Sequence, residues 1–173
     1  MIKKILLKIR NNILRKKQDI KRYSVAFEDA KTIGILVDNP KGDYVEPINK
    51  FVEELRSYGK NVTVVCRIEK SYLRNYSFNY YEFSKKDVDW KGKISNERVN
   101  NFTKKEFDYL YCINNSPFLP FENILLRSKA KFRFGIAQTV NADCLELIIQ
   151  PNGYDNFRDI LERMIEFSKK LTN

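Results

Sequence analysis

The sequence has no histidine. That removes the side chain best suited to general base work near neutral pH, and the commonest metal ligand. Ser-His and Cys-His nucleophilic arrangements are excluded with it. Carboxylate, Lys and Tyr chemistry stay open. Cysteine is scarce: Cys66, Cys112 and Cys144 are far apart, so no CxxC metal or redox pair exists. Cys66 ends "VTVVC" and Cys112 lies in "YLYCI". Both read as small apolar strand residues in a reducing compartment, not as an exported disulfide framework. Long apolar runs are also missing. No segment approaches the roughly 20 residues of a membrane span. The opening run "ILL" stops at Lys8, short of the roughly 7–15 apolar residues of a secretory signal. The opening segment is therefore expected to be retained. The expected location is the cytoplasm, with attachment to the inner face of the membrane as a further option. No cofactor and no metal is implied.

Acidic residues are nearly missing from the start of the chain. The first 22 residues carry Lys3, Lys4, Lys8, Arg10, Arg15, Lys16, Lys17, Lys21 and Arg22 against the single acid Asp19. Of a formal net charge of +10, +8 lies in this segment, and the remainder is almost neutral. At 3.6 residues per turn, Ile2, Ile5, Leu6, Ile9, Ile13 and Ile20 share one stripe roughly 100° wide, with Leu7 and Leu14 off it. Residues 2–22 are predicted as one basic amphipathic helix. Residues 1–30 form this helix and a connector, and 31–173 a single α/β domain, a length that buries a core without staples.

In the body, apolar β-branched runs alternate with helical patterns. "KTIGILVD" (31–38) and "KNVTVVCRI" (60–68) read as strands. Between them, Asp43 and Glu46 suggest a capping box, Pro47 fits a first turn, and Ile48, Phe51, Val52 and Leu55 share a face. Gly59 fits the C-cap. This is a βαβ unit, which implies parallel strands. Residues 69–105 are less regular, with a short strand at 79–83 and a loop through "SKKDVDWKGKI". Further strands are predicted at 107–113, 131–137 and 145–150. A helix capped by Ser116 with Pro117 at its first position is predicted to run to about Ala130. A closing helix aligns Phe157, Ile160, Leu161, Met164, Ile165 and Leu171. The expected fold is one three-layer α/β domain with an open, mainly parallel sheet, Rossmann-like or flavodoxin-like.

Ligands of such sheets bind beyond the carboxyl ends of the strands. Asp38, Asn39, Lys41, Asn114, Asn115 and Ser116 fall there and are the crevice candidates, with Asp38, Lys41 and Asn115 expected to converge. The competing reading is that these loops hold Asn, Gly, Pro and Ser because turns and caps need them. The first loop has one glycine and matches neither dinucleotide nor P-loop patterns. "DVDW" (87–90) sets two carboxylates beside the only Trp. A turn with Trp90 packed on the domain edge is the preferred reading over a metal or acid/base role. "NYSFNYYEF" (75–83) interleaves aromatics with Asn, suited to core packing more than to base stacking.

The succession "FSKKDVDWKGKI", "FDYLYCI", "SKAKFRFGIA", "LELII" resembles a small family of uncharacterised bacterial α/β proteins, from about Thr32 to the end. That family has no assigned activity to carry over. Residues 107–137 also resemble the N-terminal half of heptosyltransferase-like GT-B glycosyltransferases, in the "FDY-apolar" strand, helix and "AK-x-R-x-G" strand. A sugar-nucleotide ligand is what that likeness implies, although 173 residues leave no room for the second, nucleotide-sugar-binding domain.

The function expected is a non-catalytic binding or adaptor module. Its basic helix would dock on an anionic membrane surface or a protein partner through residues 1–22. Nucleic acid is less favoured, because phosphate binding needs no apolar stripe. The helix lacks the Trp or Phe that often anchors such helices, and the stripe can instead pack on the protein's own domain. The alternative is an enzyme or decayed transferase binding a phosphorylated or sugar-nucleotide ligand at the strand ends.

Overall fold

A computed structural model of the chain describes residues 2–39, 42–68, 75–114 and 116–172. The apolar runs form six strands: β1 (Thr32–Asp38), β2 (Asn61–Arg67), β3 (Tyr81–Phe83), β4 (Tyr109–Asn114), β5 (Phe132–Ile136) and β6 (Leu147–Ile149). They pair in the order β3-β2-β1-β4-β5-β6, every ladder parallel. The helices are α1 (Ile2–Lys16), α2 (Val45–Ser57), α3 (Glu97–Lys104), α4 (Leu119–Arg127) and α5 (Phe157–Lys169). The protein is a single α/β layered fold with an open parallel sheet, and its strand order is that of the Rossmann type, with the order reversing between β1 and β4.

The period of two along each strand sorts the core. Ile33, Ile35 and Val37 of β1, with Tyr109, Tyr111 and Ile113 of β4, join α2 and α5 on one face. Leu36, Leu110 and Cys112 join α3 and α4 on the other. Gly34 lies where α3 comes close to the sheet. A Cβ there would meet Phe107 at 2.9 Å and Phe102 at 3.0 Å. At the amino edge, Asp108 gathers four donors: the backbone N–H groups of Lys31 and Thr32, the Thr32 hydroxyl and Lys131 Nζ. Burial opposes its charge, but these donors outweigh that and hold its pKa at about 2, below the usual 3.8.

Several boundaries differ from the sequence reading. α1 ends at Lys16, not near residue 22. The Gln18 amide takes the Leu14 carbonyl of the last turn and reaches across to the Leu126 carbonyl, so the chain leaves the helix there. The connector that follows sends Val25, Phe27 and Ala30 into the core. α2 begins after Tyr44 with no side-chain cap. The expected Asp43–Glu46 box is absent because Glu46 pairs with Lys50 and Arg158 instead. Gly59 does end α2, at φ 73, with Gly59 N–H bonded to Arg56 O and Lys60 N–H to Leu55 O. α4 starts after Phe118, two residues later than Ser116 predicts. Asn114 Nδ2 holds the Ser116 carbonyl in the preceding turn, and Phe118 and Phe121 pack around Phe83. α3 was not expected. Asn96 caps it, and Val99, Phe102 and Thr103 bury one short face.

Candidate functional site

The register sets Asp38 opposite both Arg67 and Asn114, at the carboxyl edge and the reversal point. Lys41 and Asn115 lie outside the described residues. Of the crevice candidates that remain, Asp38 is buried, and Arg67 Nη1 reaches its two oxygens at 3.0 and 3.1 Å. Asn114 is fully buried. Its amide donates to the Ser116 and Thr139 carbonyls, and its oxygen accepts from the Thr139 hydroxyl and the Cys112 thiol. Asn39 donates to the Tyr76 hydroxyl. These side chains therefore join the strand ends to one another. A hollow of about 530 Å³ beside them is lined by Arg67, Lys85, Ser116 and the first turns of α1 and α4. The Arg67 guanidinium lies over the Phe118 ring at 4.2 Å.

α1 is a helix with two different apolar sides. It docks through the residues off the predicted stripe. Leu7 joins the core cluster around α3 and α4, and Leu14 packs against it. Between them sits Asn11, 1% exposed, bonded to the Leu119 carbonyl and to Asn123 of α4. Arg15 pairs with Glu122 at 3.2 Å. At 100° per residue, this docking side lies roughly 160° from the isoleucine stripe. The stripe faces outward: Ile2 is 70% exposed, Ile5 53%, Ile9 49% and Ile13 49%. The self-packing reading of the stripe is thereby replaced, since Leu7 and Leu14 do that work.

The nine cations divide in the same way. Arg22 is half-buried. It donates to the Ser128 and Ala130 carbonyls past the end of α4 and lies 3.7 Å from Glu146. Burial first, then the neighbouring Arg133, push its pKa down to about 10. Lys3 and Arg10 donate to the Val88 and Lys91 carbonyls. Lys4, Lys8, Lys16, Lys17 and Lys21 are exposed, and among the described residues none forms a salt bridge. Of these, Lys8 lies beside the stripe and Lys16 within it, Lys4 lies toward the docked side, and Lys17 and Lys21 follow the helix.

The 88–94 segment is a tight turn laid against α1. Val88 bridges to Ile94, Asp89 accepts from Lys93 N–H, and Gly92 adopts φ 70. A Cβ at Gly92 would stand 2.6 Å from Leu7 N, so only glycine allows this approach. Asp87 caps the short 3₁₀ turn at Lys85–Asp87 through Ser84. Both carboxylates of "DVDW" are thus used in the turn. Trp90 differs from expectation: it is 68% exposed, with Lys91 Nζ 4.9 Å from its ring centre. The turn's carbonyls bond to α1 and its backbone touches Leu7, so the indole is carried outside the core. Of the "NYSFNYYEF" aromatics, Phe78 enters the core, with Tyr76 and Tyr80 against it.

The three cysteines are buried, and none is in a disulfide. Burial raises the Cys112 pKa and brings that of Cys144 to about 11, so neither is poised as a nucleophile. Among the described residues, no helix is long and apolar enough to cross a membrane. The molecule is thus an open parallel α/β protein of Rossmann strand order, with a basic helix laid on its α4 face. Within that class the chain belongs to the family of unknown function DUF6913, whose model matches residues 3–171. The match takes in α1 as well as the sheet. No curated protein matches the chain.

Proposed function

We propose that this protein is a non-catalytic docking module that rests on an anionic membrane surface through α1. The observation that carries the reading is the outward isoleucine stripe on a helix already held to the protein by its opposite side. Ordinary surface helices turn their apolar stripe inward. Here a second stripe remains, with the exposed Lys8 beside it and the exposed Lys16 within it. Covering each half-exposed isoleucine contributes about 1 kcal/mol. Each lysine near an anionic surface contributes a similar amount, about 1 kcal/mol. Trp90, on the turn bonded to Lys3 and Arg10, supplies the interfacial aromatic that α1 itself lacks. The enzyme reading, with a phosphorylated or sugar-nucleotide ligand at the strand ends, draws support from the cationic hollow beside Arg67. It is the weaker one because Asp38 and Asn114 already bond within the protein.

The test is sedimentation of the full chain with vesicles of phosphatidylglycerol and phosphatidylcholine, against vesicles of phosphatidylcholine alone. Binding to the anionic vesicles that weakens with salt is expected, because screening shortens from about 8 Å at physiological ionic strength to about 3 Å at 1 M. Equal binding to both, or to neither, would overturn the proposal.

A further inference from the structure

Beside the exposed stripe, α1, the 88–94 turn and α4 enclose an open groove of about 550 Å³. Its apolar wall is Leu6, Ile9 and Ile13 of α1, with the buried Ile94 of the turn beneath. Its polar rim is cationic. Arg10 stands on α1, Lys91 and Lys93 on the turn, and Arg127 on α4. Among the described residues, no carboxylate lines it.

Among the described residues, no carboxylate neutralises the rim arginines. Arg10 donates through Nε to the Lys91 carbonyl and Arg127 through Nη2 to the Asn100 side-chain oxygen, both uncharged acceptors. Among the described residues neither guanidinium is in a salt bridge. Burial, and then repulsion from Arg10, lowers the pKa of Arg127. Two like charges held near one another beside an apolar wall are unfavourable until an anion arrives. Guanidinium groups match phosphate oxygens in number and geometry. An apolar wall beside such a rim fits an amphiphile better than a free anion.

We propose that this groove is a binding site for one anionic phospholipid, the headgroup phosphate between Arg10 and Arg127 and the start of an acyl chain along Ile9 and Ile13. This rests on the reading of α1 as a membrane-facing helix, and adds to it a stoichiometric site. The stripe gives a surface attraction; the groove selects a headgroup charge.

Calorimetric titration of the full chain with dihexanoyl phosphatidylglycerol, kept monomeric, tests the site in the absence of any membrane surface. Dihexanoyl phosphatidylcholine, glycerol phosphate and inorganic phosphate are the comparison arms. One site per chain is expected for the anionic lipid, with each of the other three at least tenfold weaker. Arg127→Gln should weaken lipid binding at least tenfold, and Lys93→Gln, on the exposed turn, about threefold. Thermal melting checks that each variant is folded. Equal binding of the two short-chain lipids, or no stoichiometric binding, would overturn the groove. Binding of inorganic phosphate as tight as that of the lipid would assign the rim to a free anion instead and overturn the lipid site. Vesicle sedimentation separates the two claims. If it survives while monomer binding is absent, the groove fails and the stripe stands; if vesicle binding of the native chain is absent, the surface reading fails.

Discussion

At the carboxyl edge of the sheet, polar side chains meet one another. Asp38 pairs with Arg67, and Asn114 is surrounded by Ser116, Thr139 and Cys112. On the outer side of α1 the opposite holds. Isoleucines are about half exposed or more, and the lysines beside them meet solvent. The first region has the position of a ligand site in open α/β sheets but has turned its groups to holding strands together. The second has no special position in the fold, yet it keeps chemical groups that the fold does not use. Unused apolar and charged groups point to a partner more directly than location does.

The contrast can be broken within α1 itself. Ile5→Glu with Ile9→Glu should lower affinity for anionic vesicles at least hundredfold, since about 2 kcal/mol of apolar burial is lost and two acids face the lipid. Stability should stay within about 0.5 kcal/mol, as at other exposed positions. Leu7→Ala, on the docked side, should do the reverse. It should cost about 3 kcal/mol in denaturant unfolding by leaving a cavity against the α4 cluster. At the carboxyl edge, Asn114→Ala should cost about 2 kcal/mol, because the Ser116 and Thr139 carbonyls lose the amide that donates to them and a buried gap is left. Vesicle binding should be untouched.

The amino edge supplies a pH test. The Asp108 pKa is about 2 in the folded protein against 3.8 ordinarily. Its ionised form is therefore favoured by folding, and the contribution is complete above about pH 4 and lost as pH falls toward about 2. The difference corresponds to about 2 kcal/mol, and Asp108→Asn should flatten that part of the stability profile. The smallest effect is expected from Lys8→Gln. One exposed cation near an anionic surface contributes about 1 kcal/mol, so vesicle affinity should fall about fivefold, and less at high salt.

Much of the fold was legible because strands buried on both faces read as nearly continuous apolar runs, as in "TIGILVD" and "YLYCI". α3 was not, because an eight-residue helix with two apolar anchors gives too few turns for a period to emerge. The basic stripe of α1 was visible, but its direction was not. Periodicity marks the larger apolar side, whereas docking used the narrower one, where Asn11 interrupts Leu7 and Leu14. Leu7 and Leu14 lying off the stripe was the available sign. Trp90 could not be placed from its neighbours. Its exposure follows from the contact of Gly92 with the α1 backbone, far away in sequence. The groove depends on the same contact, and on Arg127 of α4.

Trp90 is also the only tryptophan, which makes it a reporter needing no label. The most direct measurement is its fluorescence as anionic vesicles carrying brominated lipids are added to the full chain. A blue shift, with strongest quenching by bromines near the headgroups, is the result expected if α1 and the adjoining turn lie in the interface. Emission that stays at its solvent-exposed position and is unquenched at saturating vesicle concentrations would contradict the assignment of this surface to the membrane.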